Sequence, residues 1–404
     1  LDPVLMEWLN LVVRWFHVIA GIMWIGSSLF FIWLENSLIK PQDAQPGDIG
    51  EVFMVHGGGY YHVVKRELAG TLPDPLHWFK WEAYMTWLSG FSLLAVVYYL
   101  GGKAFLVDPA IADISTGTAV AVGIGSLVVS WLFYDRLWAS PMAEKHDQVA
   151  TGLTAAYVLG AVYALTHVLS GRAAYIHVGA LMGTIMAGNV FFRIIPGQKV
   201  MVAAAAAGQA FAASPSKRAK ARSRHNNYFT FPVIFIMISN HFPTTFGHQW
   251  NWLILAVLMI GSAVIKHFMN INEHFGYLVP RTLATAGVAA VALYLITASP
   301  KPTDDPTVAS LHAGASSPVA FGEAQAIIQQ RCVQCHAAKP TDDTFTVAPS
   351  GIQLDSPEKI KALVERIKVR AVDTKTMPFA NKTGITEVER ATLGRWIAAG
   401  ARMD

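Results

Sequence analysis

Cysteine and charge are the two things this 404-residue chain has least of. Its only cysteines stand at 332 and 335, which excludes the disulfide framework that staples small secreted domains. Asp, Glu, Lys and Arg make up 14% of the residues, against about 25% in an ordinary soluble chain. The net charge of +4 is not gathered on one soluble surface and no nucleic-acid motif occurs, so no nucleic-acid partner is expected. The scarcity of charge is also uneven. Residues 317–404 hold 12 Lys/Arg and 10 Asp/Glu, whereas long stretches before them hold almost none, and 53% of the chain is apolar. That shift marks two solvents, lipid for the first three quarters and water for the rest.

A helix needs about 20 residues to cross a hydrocarbon core of roughly 30 Å. Eight stretches qualify once their flanks are included: 11–34, 83–100, 118–135, 153–169, 173–195, 227–242, 250–268 and 282–298. The first lacks a small-residue cleavage site and is followed by others like it, which predicts an anchor that stays. The Ala-rich 200–213 is too short to cross and is expected at the interface or as a continuation of the fifth helix. Pro232 should bend the sixth span. Gly179 and Gly183 form a Gly-x-x-x-Gly suited to close helix contact. With eight spans the termini share a side. The loops opposite carry fifteen Lys/Arg, among them Lys65, Arg66, Arg193, Arg222 and Lys266, and the terminal-side loops carry only Lys103 and Arg172. By the positive-inside rule the C-terminal region then lies outside, in a bacterial periplasm or its equivalent, with the protein multi-pass in the inner membrane.

Residues 299–319 are rich in Pro, Ser, Thr and Gly and predict a linker between a membrane domain, 1–298, and a small globular domain, 320–404. A short helix over 321–331 leads into CVQCH at 332–336. Cys-x-x-Cys-His is the signature of covalent c-type haem attachment, with Cys332 and Cys335 bonded to the vinyl groups and His336 on the iron. A zinc site would need a second ligand pair, and a thioredoxin-like pair would need a preceding strand. Met377, 41 residues after His336 within TMPFAN, is the expected sixth ligand; a thioether there favours reduced iron. Ile360, Leu363, Val364 and Ile367 mark one enclosing helix. Thr386 and Glu389 form a capping box for another, whose apolar face is Leu393, Trp396 and Ile397. A haem with both axial positions filled suits electron relay, so a donor is needed.

Polar residues inside spans are costly and usually face a cavity or partner. Near the outer side lie His17, His167, His177, His241 and His248, which could hold a b-type haem or another metal, or line a substrate pocket. Near the inner side lie Glu35, Glu82, Asp135, Asn189, Arg193, His225, Asn226, Asn227, His267, Asn270 and Glu273, of which Arg193 and the Asn226–Asn227 pair suit a planar anion arriving from the cytoplasm. From there electrons would have to travel most of about 30 Å to the outer haem.

Three segments, RWFHVIAGIMWIG at 14–26, HNNYFTFPVIFIMISNHFP at 225–243, and CVQCH followed by MPFANKTGITEVERATLGRWIAAG at 377–400, give the chain a family likeness. It resembles the bacterial membrane-bound, cytochrome c-linked urate oxidases (urate hydroxylases) over essentially its full length. The resemblance implies an all-α fold: a polytopic bundle of about eight spans with a C-terminal class I-like cytochrome c domain. It also implies oxidation of urate to 5-hydroxyisourate, with water supplying the hydroxyl oxygen. Electrons would pass to one covalent haem c and on to a soluble or membrane-bound cytochrome or terminal oxidase. Carried over residue by residue, it fixes Cys332, Cys335, His336 and Met377. For urate itself, chemistry asks for a cationic or amide donor (Arg193, Asn226, Asn227), an aromatic wall (Trp24, Trp81 or Tyr228) and a base (Glu82, or one of His17, His167, His177 and His241). Another substrate- or quinol-linked dehydrogenase of the same build, or an electron-transfer anchor without catalysis, stays open. Haem stoichiometry and a polar cavity distinguish them.

Overall fold

The computed structural model describes residues 3–69, 72–100, 103–109, 111–209, 213–271, 275–298, 319–343, 345 and 347–403. The expected linker lies outside the described residues except for Val319. The chain opens with α1 (Pro3–Asn36), followed by a hairpin of β1 (Asp48–His56) and β2 (Gly59–Arg66). Helix α2 (Trp81–Leu94) runs on through a π-helical turn, Ala95–Tyr99, to the short α3 (Lys103–Leu106). Then come α4 (Thr116–Ala139), α5 (Pro141–Lys145) and α6 (Asp147–Thr166). Helix α7 (Gly171–Gly188) continues through a π-helical segment, Asn189–Ile194, into α8 (Ile195–Ala206). The membrane region closes with α9 (Ala213–Ile238), α10 (Pro243–Phe246), α11 (Asn251–Ile271) and α12 (Phe275–Ala298).

Helix starts follow local chemistry. Ser115, Ser140 and Ser170 cap α4, α5 and α7, each hydroxyl accepting from the amide three residues on. Helix α7 is the axis of the bundle. Its Tyr175, Val178, Leu181 and Met182 are buried against Leu127 of α4, Val158 and Val162 of α6, Ile236 of α9 and Leu255 of α11. Helices α1 and α12 stand at the rim, and large apolar side chains such as Ile22, Leu283, Val288 and Val291 face outward. Such a surface is stable in lipid and not in water.

Six described helices are long and apolar enough to cross a membrane: Leu5–Asn36, Thr116–Ala139, Asp147–Thr166, Gly171–Ala206, Asn251–Ile271 and Leu278–Ala298. The expected count of eight exceeds this, for two physical reasons. Helix α2 has only fourteen α-helical residues before the π-turn, and the first half of α9 is charged, with Lys217, Arg218, Lys220, Arg222 and Arg224. The Ala-rich stretch is a continuation of the fifth expected span, as α8. Pro232 sits inside α9 without ending it. Of the Gly-x-x-x-Gly pair only Gly179 makes a close helix contact: a Cβ there would lie 2.6 Å from Ile236, whereas one at Gly183 would meet nothing.

The fold is essentially all-α, as expected; the exception among the described residues is an antiparallel hairpin at 48–66. Gly57 and Gly58, at φ +63° and +82°, supply the two left-handed residues that a tight two-residue turn requires. Glu51 anchors its base, accepting from the Gln42 backbone N–H at 2.8 Å and pairing with His62 at 2.7 Å. These contacts, the Gln42 amide foremost, hold its carboxyl below the usual range.

Residues 319–403 form a separate helical core. Helices α13 (Phe321–Arg331), α14 (Pro357–Ala362), α15 (Val364–Ile367) with a π-helical extension Lys368–Asp373, and α16 (Glu387–Ala398) bury Ile328, Ile360, Ile367, Leu393 and Trp396. The capping box is present in full, with Thr386 accepting from the Glu389 amide and the Glu389 side chain from the Thr386 amide. These helices meet one end of the bundle. Phe105 lies 4.9 Å from Phe379 and 5.9 Å from Phe345, ring to ring.

That end of the bundle is stitched by Ser170, which bonds the carbonyls of Phe105 and Leu106, and by Asn251, which bonds the Phe246 carbonyl. Gly171 sits in the seam, where an added Cβ would lie 2.1 Å from the Phe246 carbonyl oxygen. Backbone cannot give way as a flexible side chain can. Gly171→Ala is expected to destabilise the bundle by about 1–3 kcal/mol, read as a lowered thermal unfolding midpoint in detergent. An unchanged midpoint would show that the seam is loose.

Candidate redox centre and polar sites of the bundle

Helix α13 delivers the two cysteines. Its last turn runs on as Cys332 donates to the Ile328 carbonyl at 2.8 Å, and the His336 amide donates to the Cys332 carbonyl at 2.9 Å. Cys332, Cys335 and His336 therefore share one turn. His336 Nδ1 donates to the Ile352 carbonyl at 2.9 Å. That bond fixes the tautomer and leaves the lone pair on Nε2. The Met377 loop is tied twice: its amide donates to the Arg370 carbonyl at 2.9 Å, and buried Arg390 donates to the Met377 carbonyl at 2.7 Å and to the Ala371 carbonyl. Burial pushes the Cys332 thiol up to about 12 and the Cys335 thiol up to about 11. Neither is the low-pKa thiolate that dithiol exchange uses. Among the described residues no group of three or more His, Cys, Asp or Glu is placed to hold a metal ion.

Part of the expected inner set is drawn into one knot. Asn189 donates to Asn226 Oδ1 at 2.9 Å and to the Tyr134 hydroxyl at 3.1 Å. Asn226 in turn donates to the Met186 carbonyl, and Tyr134 bonds His225 Nδ1 at 2.7 Å. Arg222 lies over the Tyr134 ring and donates to Asn189 and Asp135. Arg193 forks onto both Asp135 oxygens. The knot satisfies itself: both guanidiniums share one carboxylate and both amides are engaged. Arg193 and Asn226 are thus both engaged within the knot.

The other sequence candidates are not brought to it. Glu82 stands on α2 with His77 3.9 Å away and one carboxylate oxygen buried without a hydrogen bond. Asn227 Oδ1 is likewise buried and unbonded. His241 is exposed at the end of the turn after α9. The other outer histidines have separate partners. His17 bonds Thr86 and Ser89, His167 the Tyr163 carbonyl, His177 the Ala173 carbonyl and the Tyr99 hydroxyl, and His248 accepts from the Trp250 amide. No two of these imidazoles are in contact among the described residues. Lys266, counted from sequence as a loop charge, is fully buried in α11, its Nζ unbonded and 5.3 Å from the Phe231 ring centre.

Next to the knot lies a cavity of about 240 Å³, walled by Trp138, Val158, Met182, Phe229, Pro232 and Met259, with His225 and Tyr134 at its edge. Its surface is almost wholly apolar. A purine with several amide-like groups would find little there to bond.

Six membrane-length helices among the described residues, the buried central one included, define a multi-pass helical membrane protein. Residues 3–298 match the Urate oxidase N-terminal family, and the chain belongs to it. That match stops where α12 stops and does not extend to the Cys-x-x-Cys-His segment. No curated protein and no solved structure matches the chain.

The knot makes a contrast that can be measured. The Arg222 side chain is 5% exposed and depends on Asp135, whereas the Arg193 side chain is 43% exposed. Asp135→Asn strands a buried charge and is expected to cost about 3 kcal/mol or more. Arg193→Gln should cost about 1 kcal/mol or less. Thermal unfolding followed by near-UV circular dichroism reads both; equal losses would contradict the assignment of Arg222 as the dependent partner.

Proposed function

We propose that the chain oxidises urate to 5-hydroxyisourate in its helical bundle. The electrons would pass to a haem that Cys332 and Cys335 would hold covalently, with His336 and Met377 supplying an imidazole and a thioether to its iron. What carries the reading is the joining, in one chain, of a Urate oxidase N-terminal region to a Cys-x-x-Cys-His turn whose histidine has one ring nitrogen anchored. The donor set supports a haem: two thiols on one turn, an imidazole with its Nε2 lone pair available, and a thioether on a loop tied by Arg390. It does not suit tetrahedral zinc, for which a second ligand pair is wanting among the described residues. When bound, the haem accepts single electrons, and the thioether raises its potential.

The reaction balances as urate plus water giving 5-hydroxyisourate, two protons and two electrons. The protein's part is to bind the flat anion, keep it beside the electron acceptor and take up the protons. The apolar rim supports a bilayer as the bundle's surroundings. Helix α2 with its π-turn reaches about 28 Å at 1.5 Å per residue. Counting it and the apolar second half of α9 restores eight crossings and places both termini on one side. The Lys/Arg-rich loops then face the cytoplasm, and residues 320–404 form a periplasmic cytochrome c domain that delivers electrons to a downstream cytochrome or terminal oxidase.

Anaerobic mixing of urate with the oxidised holoprotein tests this directly. The c-type alpha band is expected to rise, with one urate reducing two haems. An intact haem that urate leaves oxidised, while ascorbate reduces it, would overturn the reading.

A further inference from the structure

Beneath the point where the C-terminal helices meet the bundle lie two arginines from different helices. Arg172, at the start of α7, has its guanidinium carbon 5.5 Å from the Phe105 ring centre and 5.8 Å from that of Phe379, two residues beyond Met377. Its Nε donates to Asn240 Oδ1 at 3.1 Å. Arg14, on α1, donates to Asn10 Oδ1 at 2.8 and 3.2 Å and lies within electrostatic range of Arg172 and Tyr98. Neither arginine is paired with a carboxylate among the described residues, and both are half-buried. Between them Tyr98, 3% exposed, brings its hydroxyl beside Arg172 and Asn240 but completes no hydrogen bond.

This cluster differs in kind from the knot at the other end of the bundle. There both guanidiniums reach one carboxylate, Asp135, and each amide has a partner. Here two like charges stand together at the edge of a low-dielectric interior, and a buried hydroxyl is left unused. Each is a cost that an anion between them would remove. The residues suit a flat anion in particular. Guanidinium N–H pairs match carbonyl oxygens and delocalised anionic edges, Tyr98 can donate, and the Asn240 amide can pair with a ring edge.

We propose that Arg14, Tyr98, Arg172 and Asn240 form the binding site for the urate anion. The proposal rests on the reading above that urate is the substrate. It places the substrate at the end of the bundle that carries Cys332, Cys335, His336 and Met377. Electrons then do not have to cross the bundle, and urate enters from the same side. The four side chains come from α1, the π-turn after α2, α7 and the turn after α9, so the site exists only when these elements are assembled. A phosphate group could also pair with two guanidiniums, and a phospholipid headgroup is its obvious source in a membrane.

The test uses the holoprotein in phosphatidylcholine nanodiscs with the haem reduced beforehand, so that bound urate has nowhere to send electrons. Equilibrium dialysis with urate then reports binding alone. Arg14→Gln and Arg172→Gln should each weaken urate binding about tenfold or more, the loss expected for one charge-assisted hydrogen bond. Tyr98→Phe should weaken it less, and Arg172→Lys should fall between wild type and Arg172→Gln. Arg136→Gln, an exposed arginine at the far end, should leave it unchanged. An unaltered haem spectrum and ascorbate reduction rate mark each variant as folded. If urate reduces the wild-type haem yet binds both glutamine variants as tightly as wild type, this site is wrong while the function stands. If the substitutions instead strip phosphatidylglycerol added to the discs and leave urate binding intact, the arginines hold a lipid headgroup and the proposal fails. If wild type neither binds urate nor is reduced by it, the functional reading itself falls.

Discussion

Lipid offers no hydrogen bonds, and that deficiency of the solvent arranges the bundle. Hydroxyls carried into the helices fold back on the preceding turn: Ser130 on Ser126, Thr154 on Ala150, Thr166 on Val162, Thr184 on Ala180 and Thr230 on Asn226. Larger polar groups cannot satisfy themselves locally and recruit one another across helices. Asn189, Asn226, Tyr134, His225, Arg222 and Asp135 lock α4, α7 and α9 at one level. Where a polar group in such surroundings lacks a partner, the lack is informative, because nothing in the solvent makes it good. The same rule therefore explains why the inner knot is architecture and why the arginines under the C-terminal helices attract notice.

The C-terminal helices obey a different solvent. Their core is small and centres on Trp396, whose ring lies tilted 5.8 Å from that of Phe321 and whose indole N–H donates to the Arg402 carbonyl. Ionic pairs such as Arg331 with Glu389 and Lys382 with Asp342 lie partly buried at its margin. Cys332 and Val333 pack at the edge of this core. A core this limited gains from any large apolar group added at that edge. Contact with the bundle is made through aromatic rings, Phe105 against Phe345 and Phe379, with Arg172 over two of the three.

Local signals in the sequence were faithful. The helix at 321–331, the capping box at Thr386 and Glu389, the buried faces of Ile360, Ile367, Leu393 and Trp396, and the Ala-rich continuation at α8 all follow from spacing within a few residues. The hairpin was legible too, since DIGEVFMVH and GYYHVVKR flank two glycines, but attention to long apolar runs passes over it. The expected count of eight and the six helices of membrane length differ where a helix is too short in its α-helical part, as α2 is, or mixes two solvents along its length, as α9 does. Lys266 differs from expectation for a related reason: a charge near a predicted helix end reads as a loop charge until its neighbours are known. The candidate site was the least legible part. Arg14 and Arg172 are far apart in the chain and carry no shared motif, so only the crossing of α1, α2 and α7 brings them together.

The continuous helical stretch from Gly171 to Ala206, α7 and α8 joined by their π-helical segment, has a mechanical consequence. At 1.5 Å per residue it measures about 54 Å, against roughly 30 Å of hydrocarbon. Some 20 Å of it must therefore stand clear of the lipid or tilt within it. Helix α8 lies along α9, whose Arg218, Lys220 and Arg224 are exposed. Upright, the bundle would end on that face in a stiff paired-helix mast rather than in slack loops. Any body docking there would meet positive charge at a height set by helical pitch.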